Sequence, residues 1–245
     1  MKLVLLGTAG YHPSDSRQTS CYMLPELGIV LDAGSGMYRV RDWIQTSSLD
    51  IFLSHAHLDH VMGLTFLFDV VHQKNVQRIT VHGVAQKLAA IREHLFQDDL
   101  FPVLPPIEWL PLEEQMTLGG ASIRHFPLKH PGGSTGYRFD WDERSLGYVT
   151  DTTAGPGVAY VEQIRGVDLL LHECNFPDSM PQQAEKTGHS CTSAVANVAA
   201  AAGVGRLVMT HFDPLNTTDD PVGLDTARAI FPNAQLAVDQ MVIEF

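Results

Sequence analysis

Between Ser54 and Val61 the chain reads SHAHLDHV, which places His55, His57, Asp59 and His60, three imidazoles and a carboxylate, within six residues. Nitrogen and oxygen donors of this kind suit a borderline divalent cation such as zinc, and catalytic sites leave one coordination position open. His55 and His57, one residue apart, point the same way if the chain is extended and can share one ion. Asp59 and His60 fall where the chain turns into a helix, face differently, and suit a second ion beside the first. With 12 histidines in 245 residues, an H-x-H-x-D-H string arises by accident in roughly one such chain in a thousand. The stretch reads as a metal site.

The elements that must position it are legible from hydrophobic patterning. The apolar run 51–53 reads as a buried strand that delivers the metal stretch, and apolar residues at helical spacing over 62–72 predict a helix starting just after His60. One arrangement recurs along the chain. Asp32, His55, His130, Asp151, Glu173 and His211 each sit just beyond a short apolar strand. A sheet interior does not tolerate unpaired charge, whereas strand ends open onto a rim where loops gather. Six polar residues placed alike predict one rim carrying one site.

Further strands are expected at 2–6, 21–24, 28–31, 79–82, 122–128, 137–139, 145–149, 168–171, 206–209 and, last, 234–238. Helices are expected at 38–45, 84–96, 158–165, 192–202 and 222–230, with Gly203 closing the fourth. Residues 98–111 read as Pro-rich and irregular. The glycine-rich turn 131–136, with Ser134 and Thr135, could offer donors to a phosphate. Strands and helices alternate from end to end without repeat or linker, which predicts an α/β protein of one domain, residues 1–245.

The formal charge of −12 argues against a protein that mainly holds long nucleic acid, because backbone phosphates demand a basic surface. Three widely spaced cysteines, Cys21, Cys174 and Cys191, contain no C-x-x-C pair and read as free thiols in a reducing compartment. No run approaches the roughly 18 apolar residues of a membrane span. A cytoplasmic enzyme is the expectation.

With these residues laid out, the chain resembles the metallo-β-lactamase superfamily, and the separate motifs occur in that family's order from the Gly7–Gly10 turn to His211. The resemblance implies a four-layer αββα sandwich with a dinuclear site along one edge. It implies that His55, His57 and His130 hold one ion, that Asp59, His60 and His211 hold the other, and that Asp151 bridges both. Asp32 would brace a ligand histidine. Within the superfamily the chain looks most like the ribonuclease Z and cyclic phosphodiesterase branch. The carriers are Leu6-Gly7-Thr8-Ala9-Gly10, His172-Glu173-Cys174-Asn175-Phe176, and Gly188-His189-Ser190 ahead of a helix and Leu207–Phe212. Glu173 and His189 would act there as a catalytic pair. One departure stands out. His130 and Asp151 are 21 positions apart, which leaves no room for the arm with which ribonuclease Z enzymes commonly grip tRNA.

The implied activity is hydrolysis of a small or cyclic phosphodiester by a hydroxide bridging two divalent ions. His189 would be the general acid, Glu173 its orienter, and Asp59 an added orienter of the nucleophile. Zinc suits the histidine-rich set, while manganese or iron (Mn2+ or Fe2+) suits sites with carboxylates. Alternatives are a tRNA 3′-processing endonuclease, a superfamily hydrolase of sulfate esters, lactones or thioesters, and a non-enzymatic scaffold. No membrane partner is expected, and the resemblance leaves a homodimer open. His12, His72, His82, His94 and His125 match no motif and read as surface or structural histidines. His172 reads as core, and Cys174 and Cys191 as small buried residues.

Overall fold

The computed structural model describes residues Met1–Phe245. The chain forms two compact units, Met1–Glu113 with Val238–Glu244, and Glu114–Ala237 with Phe245.

The first unit is built on a seven-stranded sheet. Its strands are β1 (Lys2–Gly7), β2 (Cys21–Leu24), β3 (Ile29–Leu31), β4 (Ser48–Phe52), β5 (Arg78–Gly83), β6 (Ile107–Pro111) and the C-terminal strand Met241–Glu244, which lies outside β1. Pairing is antiparallel from the C-terminal strand to β3 and parallel from β3 to β6. Alternate residues share a sheet face. Accordingly Val4, Leu6, Met23, Val30, Ile51 and Val81 join one buried cluster with Met37, Val40, Leu64 and Leu67. Met37 and Val40 come from the 3-10 helix Ser35–Trp43; Leu67 opens a short α-helix.

After β4 the chain runs through the histidine loop into three short helical pieces: α1 (Leu58–Val61), a 3-10 turn (Met62–Phe66) and α2 (Leu67–Val71). The single helix expected over 62–72 is therefore broken. Gly63 explains the break. Its N–H donates to the Ala33 carbonyl at 2.7 Å, outside the helix. A Cβ there would lie 2.2 Å from the Gly34 carbonyl oxygen. This close approach pins the start of the helical run against the turn that follows β3. Further on, 84–96 divides into α3 (Ala85–Ala90) and a π-helical turn, Ile91–Leu95.

The second unit has its own seven-stranded sheet: β7 (Met116–Leu118), β8 (Ala121–Leu128), β9 (Ser134–Trp141), β10 (Arg144–Val149), β11 (Leu169–Glu173), β12 (Arg206–Thr210) and β13 (Ala234–Leu236). The strands lie in chain order, antiparallel from β7 to β10 and parallel from β10 to β13. Its helices are α4 (Pro181–Thr187), α5 (Thr192–Ala202) and α6 (Leu224–Ile230). Alanine-rich α5 has strong intrinsic helix preference and buries Val195, Val198, Ala199 and Ala202. Gly203 at φ 63° closes it.

Some expectations fail for identifiable reasons. Residues 107–111, read as irregular, form edge strand β6, where Pro111 is tolerated at the strand's end. The strand expected at 234–238 forms as β13, Ala234–Leu236, but it is not the last: the short, half-exposed strand Met241–Glu244 follows it. Helix α4 was not expected, because PQQAEKT buries only Ala184 and carries no apolar stripe. Its brackets are nevertheless in the sequence, Pro181 in the first turn and Gly188 in left-handed conformation after the last. The helices expected at 38–45 and 158–165 are 3-10 turns, the second only Ala159–Val161.

Candidate metal centre

In the first unit the parallel strands β3 and β4 end side by side and hand over the polar residues. Asp32, directly after β3, is fully buried and adopts φ 54°. Its carboxylate accepts Ser54 N–H and Ser54 Oγ–H, each at 2.7 Å, and receives His60 Nδ1 at 2.7 Å. An ionised carboxylate only accepts, so His60 carries its proton on Nδ1 and leaves Nε2 for a cation. Ser54 Oγ also lies 3.0 Å from His55 Nδ1. The His55 ring is 4.4 Å from those of both His57 and His60, centroid to centroid. His55, Asp59 and His60 are buried, while His57 is exposed. Asp59 accepts Tyr11 N–H at 2.8 Å and stands 3.3 Å from His60 Nε2. Five expected residues, Asp32, His55, His57, Asp59 and His60, are thus one cluster.

The second unit holds a cluster of its own. Asp151, two residues beyond β10, is buried at φ 50°. Its Oδ2 is 3.4 Å from His130 Nε2 and its Oδ1 is 3.2 Å from His211 Nε2. Each carboxylate oxygen therefore faces a different imidazole. His130 is oriented by its Nδ1, which donates to the Gly188 carbonyl at 3.0 Å. His211, directly after β12, sits at φ 58° and is held by Asn175, whose amide donates to its carbonyl at 2.8 Å. Three buried site residues in the left-handed region are costly, about 1–3 kcal/mol each, and persist only where the surroundings over-determine them.

Glu173 ends β11 inside the protein. It accepts N–H groups from Thr152, Asn175 and Ser190 at 3.0, 3.1 and 3.3 Å. It also receives His189 Nδ1 at 3.2 Å. With Nδ1–H given to Glu173, the Nε2 of His189 is left to act, and the ring lies 5.1 Å from His130 and 5.2 Å from His211. Asp151, His189 and His211 offer ligand atoms within 4.8 Å of one another.

The remaining residues fall as structural. His172 is buried in β11, with Tyr160 Oη 2.9 Å from Nε2 and its Nδ1 2.6 Å from the Glu173 carbonyl. Burial holds its pKa below the usual value of 6.5. Cys174 is buried as expected, whereas Cys191 is only half-buried; burial, with Glu173 nearby, pushes the Cys174 thiol well up, and partial burial and Asp178 push Cys191 up to about 11. Both stay protonated, which makes poor metal ligands. His82 is buried against Asp50 at 3.0 Å; His12, His72 and His94 are exposed, and His125 is half-buried. Ser134 and Thr135 lie inside β9, buried, and Ser134 Oγ donates to the Thr150 carbonyl, so that hydroxyl is committed to the fold. Three contributors were not foreseen: Ser54, Asn175 and Gly188. Ser54 stands inside the histidine stretch and Gly188 beside His189, so position alone could have flagged them.

The donor set fits divalent metal on these observations: imidazoles whose Nδ1 is bound by Asp32 or Gly188 present Nε2, the pattern of a braced ligand. Such clusters at strand ends of an α/β scaffold define a metal-dependent hydrolase. The profile described as a β-lactamase superfamily domain matches residues 29–212, and the chain belongs to that superfamily. A ribonuclease Z from Acaryochloris marina (strain MBIC 11017) is 27% identical over 304 positions, covering 98% of this chain and 96% of the relative. The metallo-β-lactamase fold protein YhfI from Bacillus subtilis superposes with a TM-score of 0.84 at 20% identity, over 99% of each chain. A diphosphatase from the PhnP family superposes with a TM-score of 0.75 at 22% identity, over all of this chain and 96% of the other. The fold is the α/β sandwich of metallo-β-lactamases, as expected. No helix is long and apolar enough to cross a membrane.

Proposed function

We propose that this chain is a phosphodiesterase whose two clusters close into a single centre for two divalent ions, the two units working as one domain. In this reading His55, His57 and His130 hold one ion, Asp59, His60 and His211 the other, and Asp151 is shared. The observation that carries it is the pairing of each Asp151 oxygen with a different Nε2, while Glu173 holds His189 by its Nδ1. Zinc fits the imidazole-rich set; manganese or iron is the alternative where availability decides. Bound ions would supply an activated water and balance charge on phosphoryl oxygens.

The chain's own residues complete the chemistry. His189, protonated, donates from Nε2 to the departing oxygen, and the buried Glu173 carboxylate stabilises the imidazolium and fixes the ring. Asp32 and the Gly188 carbonyl hold His60 and His130 in ligating orientation. Asp59, tied to Tyr11 N–H, orients the nucleophile.

A small or cyclic diester is the substrate favoured by the charge of −12 and by chain length. The alignment with the A. marina ribonuclease Z runs over 304 positions, of which this 245-residue chain fills only about 240. The relative thus has additional segments that this chain lacks. The second reading, a tRNA 3′-end endonuclease, is favoured by that relative's name. Free thiols at Cys21, Cys174 and Cys191 suit the cytoplasm. The test compares bis(4-nitrophenyl) phosphate, a 2′,3′-cyclic nucleotide and precursor tRNA on wild type and His189→Ala. A higher kcat/KM on a small diester, reduced about 100- to 10,000-fold by the substitution, supports the proposal. Preference for precursor tRNA would establish the endonuclease, and diesterase activity indifferent to His189 would remove it as general acid.

A further inference from the structure

The turn between β1 and β2 exposes an aromatic side chain that packing does not account for. Its tip, Tyr11, is 82% exposed, far more than its ring would be if it served packing. Tyr11 also adopts φ 60°. His12 N–H donates to the Gly10 carbonyl at 2.7 Å, closing a three-residue turn centred on Tyr11. A bulky residue at positive φ is a strained choice, and turns of this kind with positive φ are rare. Glycine would occupy the position at no such cost.

The strain is held from two sides. Tyr11 N–H donates to Asp59 Oδ2 at 2.8 Å, so the tip is fastened directly to the metal stretch. Behind it, Ala9 N–H donates to the Gln18 carbonyl at 2.9 Å and Ser14 N–H to the Arg17 carbonyl at 2.8 Å. Arg17 donates to Thr8 Oγ1, which donates to Asp239 Oδ1, both at 2.7 Å, and Gln18 N–H donates to Asp239 Oδ2 at 2.7 Å. The outcome is a braced turn whose Tyr11 backbone is tied to Asp59 and whose ring is left exposed. The exposed His12 ring stands edge-on to it, 5.4 Å between centroids at 61°. Two exposed rings at this angle form a corner for a flat group.

We infer that this tip is a base-binding element: a nucleobase joined to the phosphodiester at the centre stacks on the Tyr11 ring. This rests on the phosphodiesterase reading and narrows its substrate to nucleotide-type esters. Stacking suits the acidic chain, since a base is neutral where the phosphate backbone is not. The Asp59 tether sets the distance between the stacked base and the reacting phosphate.

The test uses calorimetric binding of adenosine 5′-monophosphate and ribose 5-phosphate to metal-loaded wild type, Tyr11→Ala and Tyr11→Phe. Both ligands bring the same phosphate, so their affinity ratio reads the base alone. One stacked base is worth about 5- to 150-fold in affinity. Wild type is expected to prefer the adenosine ligand within that range, Tyr11→Ala to lose the preference, and Tyr11→Phe to keep it. A substitution that merely disturbed Asp59 would weaken both ligands and leave their ratio intact. An unchanged ratio in Tyr11→Ala, or no preference in wild type, overturns the inference. Parallel assay with bis(4-nitrophenyl) phosphate separates the two readings: turnover without base preference sinks only the stacking role, and base preference without turnover sinks the diesterase.

Discussion

Replacing Asp32 by Asn changes one atom and strikes the brace of a proposed ligand. The left-handed backbone at φ 54° accepts Asn, so the fold is retained. The amide oxygen can still receive Ser54 N–H in place of Oδ1. The amide NH2, however, replaces the oxygen that Ser54 Oγ and His60 Nδ1 both reach at 2.7 Å. Ser54 can rotate its hydroxyl, whereas His60 must move its proton to Nε2, the atom that would bind metal. Loss of such a brace typically lowers metal affinity 10- to 100-fold, about 1.4–2.7 kcal/mol. Losing a hydrogen bond to a buried charge costs the metal-free protein about 1.5–3 kcal/mol as well. Zinc titration of metal-free protein against a chromophoric chelator reads the first quantity, and denaturant melts read the second. An affinity within twofold of wild type, with the fold intact by circular dichroism, would refute the idea that Asp32 acts through His60.

Two other perturbations follow from the same geometry. Gly188→Ala places a Cβ 2.4 Å from Pro131 Cδ and 3.1 Å from His130 Nδ1, at φ 78°; destabilisation of about 1–3 kcal/mol and weakened metal binding are expected in melts and titration. Burial holds the His172 pKa below 6.5, so below 6.5 the unfolded chain binds the extra proton first. The contribution is complete above 6.5 and declines as pH falls toward the folded value, by at most about 1.4 kcal/mol per pH unit. Thermal melts between pH 7.5 and 5 should fall less steeply for His172→Gln than for wild type.

How much of this was legible in the sequence depended on the range of the interactions. Asp32, His55, Asp151 and His211 announced themselves because an apolar strand followed by a charged residue is a local pattern, and the rim it implies follows from desolvation. The break at Gly63 was hidden, since its cause is a carbonyl at Ala33 thirty residues earlier. Helix α4 escaped because its stability comes from its ends rather than from an apolar stripe. Asn175 stands in the segment that carries the resemblance, but its own part was hidden, since its bond to the His211 backbone depends on β11 and β12 lying side by side. The tip at Tyr11 carried no periodic signal, and only its exposure and backbone conformation mark it.

The central claim is that two clusters, one in each unit, hold a shared pair of ions. Anomalous diffraction from crystals grown with zinc measures this most directly. Two peaks about 3.5–4 Å apart, with Asp151 between them and His55 and His211 on opposite ions, are predicted. A single peak, or peaks confined to the histidines of one unit, would contradict it.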